Sequence, residues 1–284
     1  MRRMDKFKTW MSGVAKFFVA ALCAAADVVF AAAPCAAQFG QAAPKAGVVR
    51  IMSYNVHHCE GADGKVDVQR VADRIKAENP DFACINEIKP AQALELGKKT
   101  GLHATPCGMG SFNAILSRKP PARIDEVALR WKKYGPRSLM ICEYPEFAVG
   151  VMHLEYGPKV VKYRMDSVAI ACDALKKYDK PVFLAGDWNS EPQSEPVAML
   201  RRCVKILSDE HVRTWHGFGL HKTMQLGKKE YCIDYIAVNL KFSDRVKVIE
   251  THLAKDDEAS DHYPVVATLR PFSRTMKSRF SSMK

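Results

Sequence analysis

The sequence predicts an α/β fold in which two packed, mixed β-sheets are covered by helices. Three observations carry that expectation. Short apolar runs bounded by turn residues, the mark of strands buried on both faces, recur through residues 48–269. Other segments return an apolar residue every three or four positions, as Val161, Met165, Val168, Cys172 and Leu175 do, which is the stripe of a helix lying on a sheet. Some strands are spaced as hairpins and others as strand–helix units, so parallel and antiparallel neighbours must share a sheet. With 284 residues, 48% of them hydrophobic and 26% charged, and no internal repeat, the chain is long enough to bury one large core.

Residues 1–37 have the outline of a secretory signal peptide rather than of the fold. Arg2, Arg3, Lys6 and Lys8 give a positive start, Phe17 to Ala26 is apolar, and Ala31-Ala-Ala33 or Cys35-Ala-Ala37 offers small residues for cleavage. Lys16 precedes the stretch and Asp27 breaks it off, which argues for a removed leader and a secreted or periplasmic protein over a membrane anchor. The body starts with a strand over Val48 to Tyr54. Val68, Val71 and Ile75 mark a helix ending before Pro80. Phe82 to Ile85 is a short buried strand, residues 91–99 are helical, and 112–116 and 139–142 are extended. Phe147 to Leu154 is a strand carrying His153, and the helix of Val161 to Leu175 follows. Val182 to Ala185 runs directly into Gly186, Asp187 and Asn189, placing a carboxylate and an amide at the lip of a sheet. A helical turn near 197–200, a polar loop with Trp215 and His216, and strands near 231–238, 245–252 and 263–269 complete the body. The Ser-rich, basic residues 271–284 read as a tail without fixed structure.

Charge and cysteine usage narrow the function. A formal net charge of +12 draws phosphate polymers or anionic lipid surfaces toward the protein, without specifying either. No array of aromatic and basic residues stands out as a strand-binding groove. Of nine cysteines, seven remain once Cys23 and Cys35 leave with the leader, and Cys84, Cys142, Cys172 and Cys232 lie in apolar patterns where a thiol acts as a small hydrophobe. No disulfide framework is expected.

Taken in order, the strands end in Asn55, Glu87, His153, Asp187 with Asn189, Asp234, and Asp261 with His262. Each has an ordinary reading as a turn former, cap or surface charge. Together they put acids, amides and imidazoles at one kind of position, which a folded sheet gathers into one cleft. Close carboxylates repel unless a cation lies between them. A hard divalent ion suits the oxygen donors, Mg²⁺ first and Mn²⁺ as its substitute, and no paired Cys or His spacing points to structural zinc.

These residues fall into ordered motifs: Ser53-Tyr-Asn-Val-His-His58, Asn79-Pro-Asp81 leading to Ile85-Asn-Glu87, Asn113-Ala-Ile-Leu-Ser-Arg118, Pro136-Arg137, Met152-His-Leu154, Gly186-Asp-Trp-Asn189, Ile233-Asp-Tyr-Ile236 and Ser260-Asp-His262. In this order they resemble the endonuclease/exonuclease/phosphatase superfamily of metal-dependent phosphohydrolases, over about residues 48–270. Thr214-Trp-His-Gly-Phe218 and the Asp63-Gly64 turn are similar to its bacterial secreted or uncharacterised branch. The resemblance implies a four-layer, deoxyribonuclease I-like sandwich. It also implies that Glu87 holds the metal beside Asn55 and Asp261, and that Asp187 orients or deprotonates the attacking water with Asn189 helping to hold it. His262, braced by Asp234, would stabilise the pentacovalent phosphorus, and His153 would give a second imidazole. Arg137 and His216 are implied at the phosphate, with Asn113 in support. The chain departs from the pattern at Met152 for Thr, Trp188 for Phe and Asn86 for Gln, which bears on substrate fit rather than on the reacting groups.

The leading expectation is therefore a secreted, monomeric, metal-dependent phosphodiesterase, with nucleic acid as first substrate. A sphingomyelinase-like phospholipid hydrolase acting at an anionic membrane surface, or a small-molecule phosphate hydrolase, is the alternative. A non-catalytic binding protein on the same scaffold is the third.

Overall fold

The structure, a computed structural model, describes residues 47–219, 231–255 and 258–271. The leader and the basic tail beyond Pro271 lie outside the described residues. Among the described residues, twelve strands form two six-stranded sheets. The first contains β1 (Val49–Asn55), β2 (Phe82–Asn86), β3 (His103–Pro106), β4 (Asn113–Ser117), β11 (Val246–Leu253) and β12 (Val265–Pro271), in the order β11-β12-β1-β2-β4-β3. The second contains β5 (Arg123–Leu129), β6 (Arg137–Glu143), β7 (Ala148–Met152), β8 (Val182–Asp187), β9 (Val204–Ile206) and β10 (Asp234–Asn239), in the order β5-β6-β7-β8-β10-β9. Each sheet has one parallel pair, β1 with β2 and β7 with β8, and antiparallel pairs elsewhere. The expected mixed sheets are present.

Period-two alternation divides each strand between two cores. Odd residues of β1 (Val49, Ile51) and even residues of β2 (Phe82, Cys84) meet Val149, Val151, Phe183, Ala185, Ile236 and Val238 of the other sheet. The opposite rows, Met52 and Tyr54 of β1 with Ala83 and Ile85 of β2, pack under helices α1 (Val68–Glu78) and α2 (Pro90–Thr100). Val182 and Leu184 of β8 pack under α3 (Val161–Leu175) and α4 (Glu195–Leu200). The layers are helix, sheet, sheet, helix. Local signals agree with the helix bounds: Asp67 caps α1 by accepting the N–H groups of Gln69 and Arg70, and Asn79 ends it in a left-handed conformation before Pro80. Among the described residues, no helix is long and apolar enough to cross a membrane.

The structure differs from the sequence expectation at three strands and one cysteine. β3, β5 and β9, absent from the sequence reading, are all sheet edges. Cys172, expected to act as a small hydrophobe, is bonded to Cys203 with their Cα atoms 5.6 Å apart, so helix α3 is tied to the chain just after α4. A helical periodicity cannot distinguish a half-buried thiol from a bridged one. The bridge closes a 31-residue separation, and in the chain-entropy account replacing both cysteines by alanine costs about 3–4 kcal/mol under oxidising conditions. Chemical unfolding with and without reductant measures this: reductant should lower the wild-type midpoint and leave the double variant unchanged.

Candidate active site

The site continues the row of residues between the sheets. Ile51 leads through Ser53 to Asn55, Cys84 to Asn86, Ile115 to Asn113, Ala185 to Asp187 and Ile236 to Asp234, always two residues apart. Val151 leads to His153, immediately beyond β7. Strand register aligns these ends, since Asn55 pairs with Asn86, Asn86 with Asn113, and Asp234 with Asp187. The same alternation that builds the apolar core thus sets a polar row at one edge.

Two residues break the alternation to join the row. Glu87 and Asn189 both have positive φ, 54° and 46°, uncommon for residues with side chains and found where surrounding structure holds them. Asn86 makes the cross-sheet connection: its Oδ1 accepts the backbone N–H of Asp187 at 2.8 Å, and its Nδ2 donates to Asn113 Oδ1 at 2.9 Å. The sequence reading noted Asn86 only as a departure, although it positions Asp187. Gly186 has φ of 138°, and a Cβ there would lie 1.9 Å from the Met152 carbonyl oxygen and 3.1 Å from Asn86 Oδ1. Gly186→Ala must therefore separate β8 from β7 at the site. A loss of at least about 2 kcal/mol is expected, read as a lower thermal midpoint together with lower activity.

The acids and imidazoles meet around Asp187. Asn55 Nδ2 donates to Glu87 Oε1 and to Asp187 Oδ2, each at 3.1 Å, while Asn55 Oδ1 accepts the His57 N–H. Asp187 Oδ2 lies 3.5 Å from His153 Nε2 and 3.9 Å from His262 Nε2. Glu87 Oε1 is 3.8 Å from His153 Nε2. His262 Nδ1 donates to Asp234 Oδ2 at 2.8 Å, and His262 Nε2 is 3.9 Å from Asp261 Oδ1. Asn189 binds its side-chain amide to the Leu154 carbonyl and lies 3.1 Å from His153 Nε2.

The two imidazoles are held in different charge states. Burial works against a charge on His262, but Asp234, Asp187 and Asp261 outweigh it and raise the pKa to about 10. Burial lowers His153 well below the ordinary range, and the Arg137 guanidinium adds to the effect. Arg137 Nη1 donates to His153 Nδ1 at 3.0 Å, which leaves the hydrogen of the neutral ring on Nε2, the side facing the carboxylates. Asp187 is raised to about 7, first by burial, then by Asp234, with Glu87 adding to it against the favourable His262 charge.

Three expected residues have particular placements. Arg137, expected at the phosphate, is buried behind His153 and paired with the buried carboxylate of Glu155 at 3.3 Å. Glu155 was not anticipated, and its signal was its position two residues after His153. His216 stacks on Tyr263 at 4.3 Å, and its backbone N–H donates to the Asp261 carbonyl. Asp261 itself is oriented by Trp215 Nε1 at 3.1 Å on Oδ2, and its buried Oδ1 has no hydrogen-bond partner.

Hard, oxygen-rich donors and that unpartnered oxygen fit a divalent cation. Glu87 and Asp187 place carboxylate oxygens within 4.8 Å of one another beside His153, and Asp187 and Asp234 do so beside His262, which as a cation offers no lone pair. Asn55, lying between two carboxylates, supplies partial positive charge where a cation would do so more strongly.

A sequence profile of the endonuclease/exonuclease/phosphatase family matches residues 52–262. The chain belongs to that family. Its members are phosphoester hydrolases, and the family match spans every site residue named above. Solved structures agree in fold. A family protein from Bacteroides vulgatus is similar with a TM-score of 0.66 at 16% identity, over 79% of this chain and 99% of that one. A mannosyl-6-phosphatase from Bacteroides thetaiotaomicron gives 0.63 at 17% identity, over 78% and 99%. Truncated Caenorhabditis elegans TDP2 gives 0.61 at 20% identity, over 78% and 97%. No curated protein sequence matches significantly.

Proposed function

We propose that this family member is an exported, divalent-metal-dependent phosphodiesterase that breaks a P–O bond by in-line attack of water, with nucleic acid as its first substrate. The observation that carries the reading is the convergence on Asp187 of a neutral imidazole, His153 at 3.5 Å, and a charged one, His262 at 3.9 Å, with the second carboxylate, Glu87, 3.8 Å from His153. Glu87, with Asn55 and Asp261 beside it, would hold Mg²⁺ or Mn²⁺. When bound, the ion supplies Lewis-acid stabilisation of a phosphoryl oxygen.

The chain's own residues divide the remaining work. Asp187, buried beside the Asn189 amide, accepts a proton from the attacking water. His262, kept cationic by Asp234, gives its Nε2–H to a phosphoryl oxygen as negative charge gathers there. His153, neutral with hydrogen on Nε2, donates a hydrogen bond without adding a second positive charge. Export is supported by the N-terminal pattern and by the Cys172–Cys203 bridge, which persists in oxidising compartments.

Turnover of bis-p-nitrophenyl phosphate by purified protein tests the reading. Activity with Mg²⁺, lost in EDTA and restored by excess Mg²⁺ or Mn²⁺, is the expected result. Absence of metal-dependent turnover on diesters and monoesters alike would leave a binding protein on this scaffold.

A further inference from the structure

The β5–β6 hairpin turns at the edge that carries the site, because Arg137 opens β6 and β6 runs antiparallel to β7, whose far end leads to His153. Its loop reads Arg130-Trp-Lys-Lys-Tyr-Gly-Pro136. Trp131 and Tyr134 are each 46% exposed, and Tyr156 is 60% exposed and meets Tyr134 edge-on at 5.7 Å. Large rings left in water beside a catalytic site mark a surface that something else covers. Lys133 Nζ stands 4.8 Å over the Tyr134 ring, and Arg130 and Lys132 on the same loop and Lys159, three residues after Tyr156, are exposed.

The loop is fixed to the chemistry by one buried group. Glu155 Oε1 accepts the N–H of Lys133 at 3.0 Å and of Tyr134 at 3.2 Å, while Oε2 accepts Arg137 Nε at 3.3 Å. Arg137 in turn donates to His153 Nδ1. A carboxylate with no exposure thus sets both the ring-bearing loop and the imidazole.

We infer that the Trp131–Tyr134 loop and Tyr156 form a stacking platform for unpaired bases of a single-stranded nucleic acid whose phosphate enters the site. The placement beside the chemistry rests on the phosphodiesterase reading; the binding itself does not. Bases offer flat faces to exposed rings whatever their sequence, and the surrounding cations meet the flanking phosphates. In a duplex those faces are already stacked. A neutral sugar could also lie on a ring, but four exposed cations have no partner on it. Trp131 is the one loop side chain of the kind that enters an acyl layer, whereas a membrane-binding segment presents several such residues on one face.

Fluorescence anisotropy with fluorescein-labelled dT12, full chain and EDTA to stop turnover tests the platform. dT12 is expected to bind more tightly than a 12-base-pair duplex. Trp131→Ala and Tyr156→Ala should each weaken dT12 binding about 5- to 100-fold, with Trp131→Phe restoring most of it and thermal midpoints showing the variants folded. Lys132→Gln with Lys133→Gln should lower the slope of log affinity against log salt by about 1.4. Equal dT12 affinity in wild type and both alanine variants overturns the inference, as does tighter binding of duplex. If Trp131→Ala instead releases the chain from phosphatidylcholine/phosphatidylglycerol vesicles with dT12 affinity unchanged, the loop is a membrane surface and the inference fails. dT12 binding without bis-p-nitrophenyl phosphate turnover by wild type would sustain the platform and overturn the phosphodiesterase reading.

Discussion

Asp187→Ala is expected to reduce kcat/KM at least about 10³-fold and, in EDTA at pH 8, to raise the thermal midpoint. Both effects follow from the same placement. The carboxylate is 2% exposed, shares the Asn55 amide with Glu87, and faces Asp234, so its charge is costly in the folded chain. Its folded pKa of about 7 lies above the ordinary 3.8, so folding favours the protonated form. The stability this group contributes is present at low pH and is lost as pH rises from about 4 through about 7. The gain from removing it should accordingly be large at pH 8 and small at pH 5. Added Mg²⁺ should reverse the order by stabilising wild type more than the variant, which thermal shift at the two pH values reads directly. Lower stability of the variant at pH 8 without metal would show that Asp187 is a structural acid.

Asp234→Asn should produce the second large effect, about 10²- to 10⁴-fold in kcat, and should move the alkaline limb of the pH profile. Asp234 holds His262 Nδ1 at 2.8 Å and is the leading cause raising that pKa to about 10 against burial. With an amide there, burial acts with less opposition and the imidazole loses its proton at lower pH. The limb should move to lower pH. Stability changes in the matching sense. A histidine raised from 6.5 to about 10 stabilises the fold fully below 6.5 and loses that contribution as pH rises through 10, a dependence Asp234→Asn should weaken. An NMR titration of the His262 ring checks the proton directly, and an unmoved limb with an unmoved ring pKa would exclude Asp234 as its cause.

The central strands and helices were legible because each buries a regular apolar row. β1, β2, β7, β8 and β10 have inward rows that continue, two residues at a time, into the polar residues of the site. β3 and β9 were not legible because they are short, and β5 because as a half-solvated edge it exposes Arg123, Ile124 and Ala128 and its alternation dissolves, whereas the edge strand β11 was read from its run of β-branched residues. Identity of the strand-end groups could be read, but their contacts could not. Glu87 and Asn189 reach the row through positive φ, which no alternation predicts. Glu155, Asn86 and Trp215 act through other side chains, so each looked ordinary until its partner was in place. The exposed rings escaped notice for a related reason, since Tyr156 meets Tyr134 only once β6 and β7 pair.

The proposed cation-assisted centre for cleaving phosphorus–oxygen bonds at Glu87, Asp187 and the two imidazoles is tested most directly by anomalous diffraction from crystals soaked in Mn²⁺. A peak about 2–2.3 Å from a Glu87 carboxylate oxygen, beside Asp187 and absent from Glu87→Ala crystals, is the predicted result. Mn²⁺ bound only elsewhere, with Glu87 and Asp187 still joined through Asn55 alone, would contradict it.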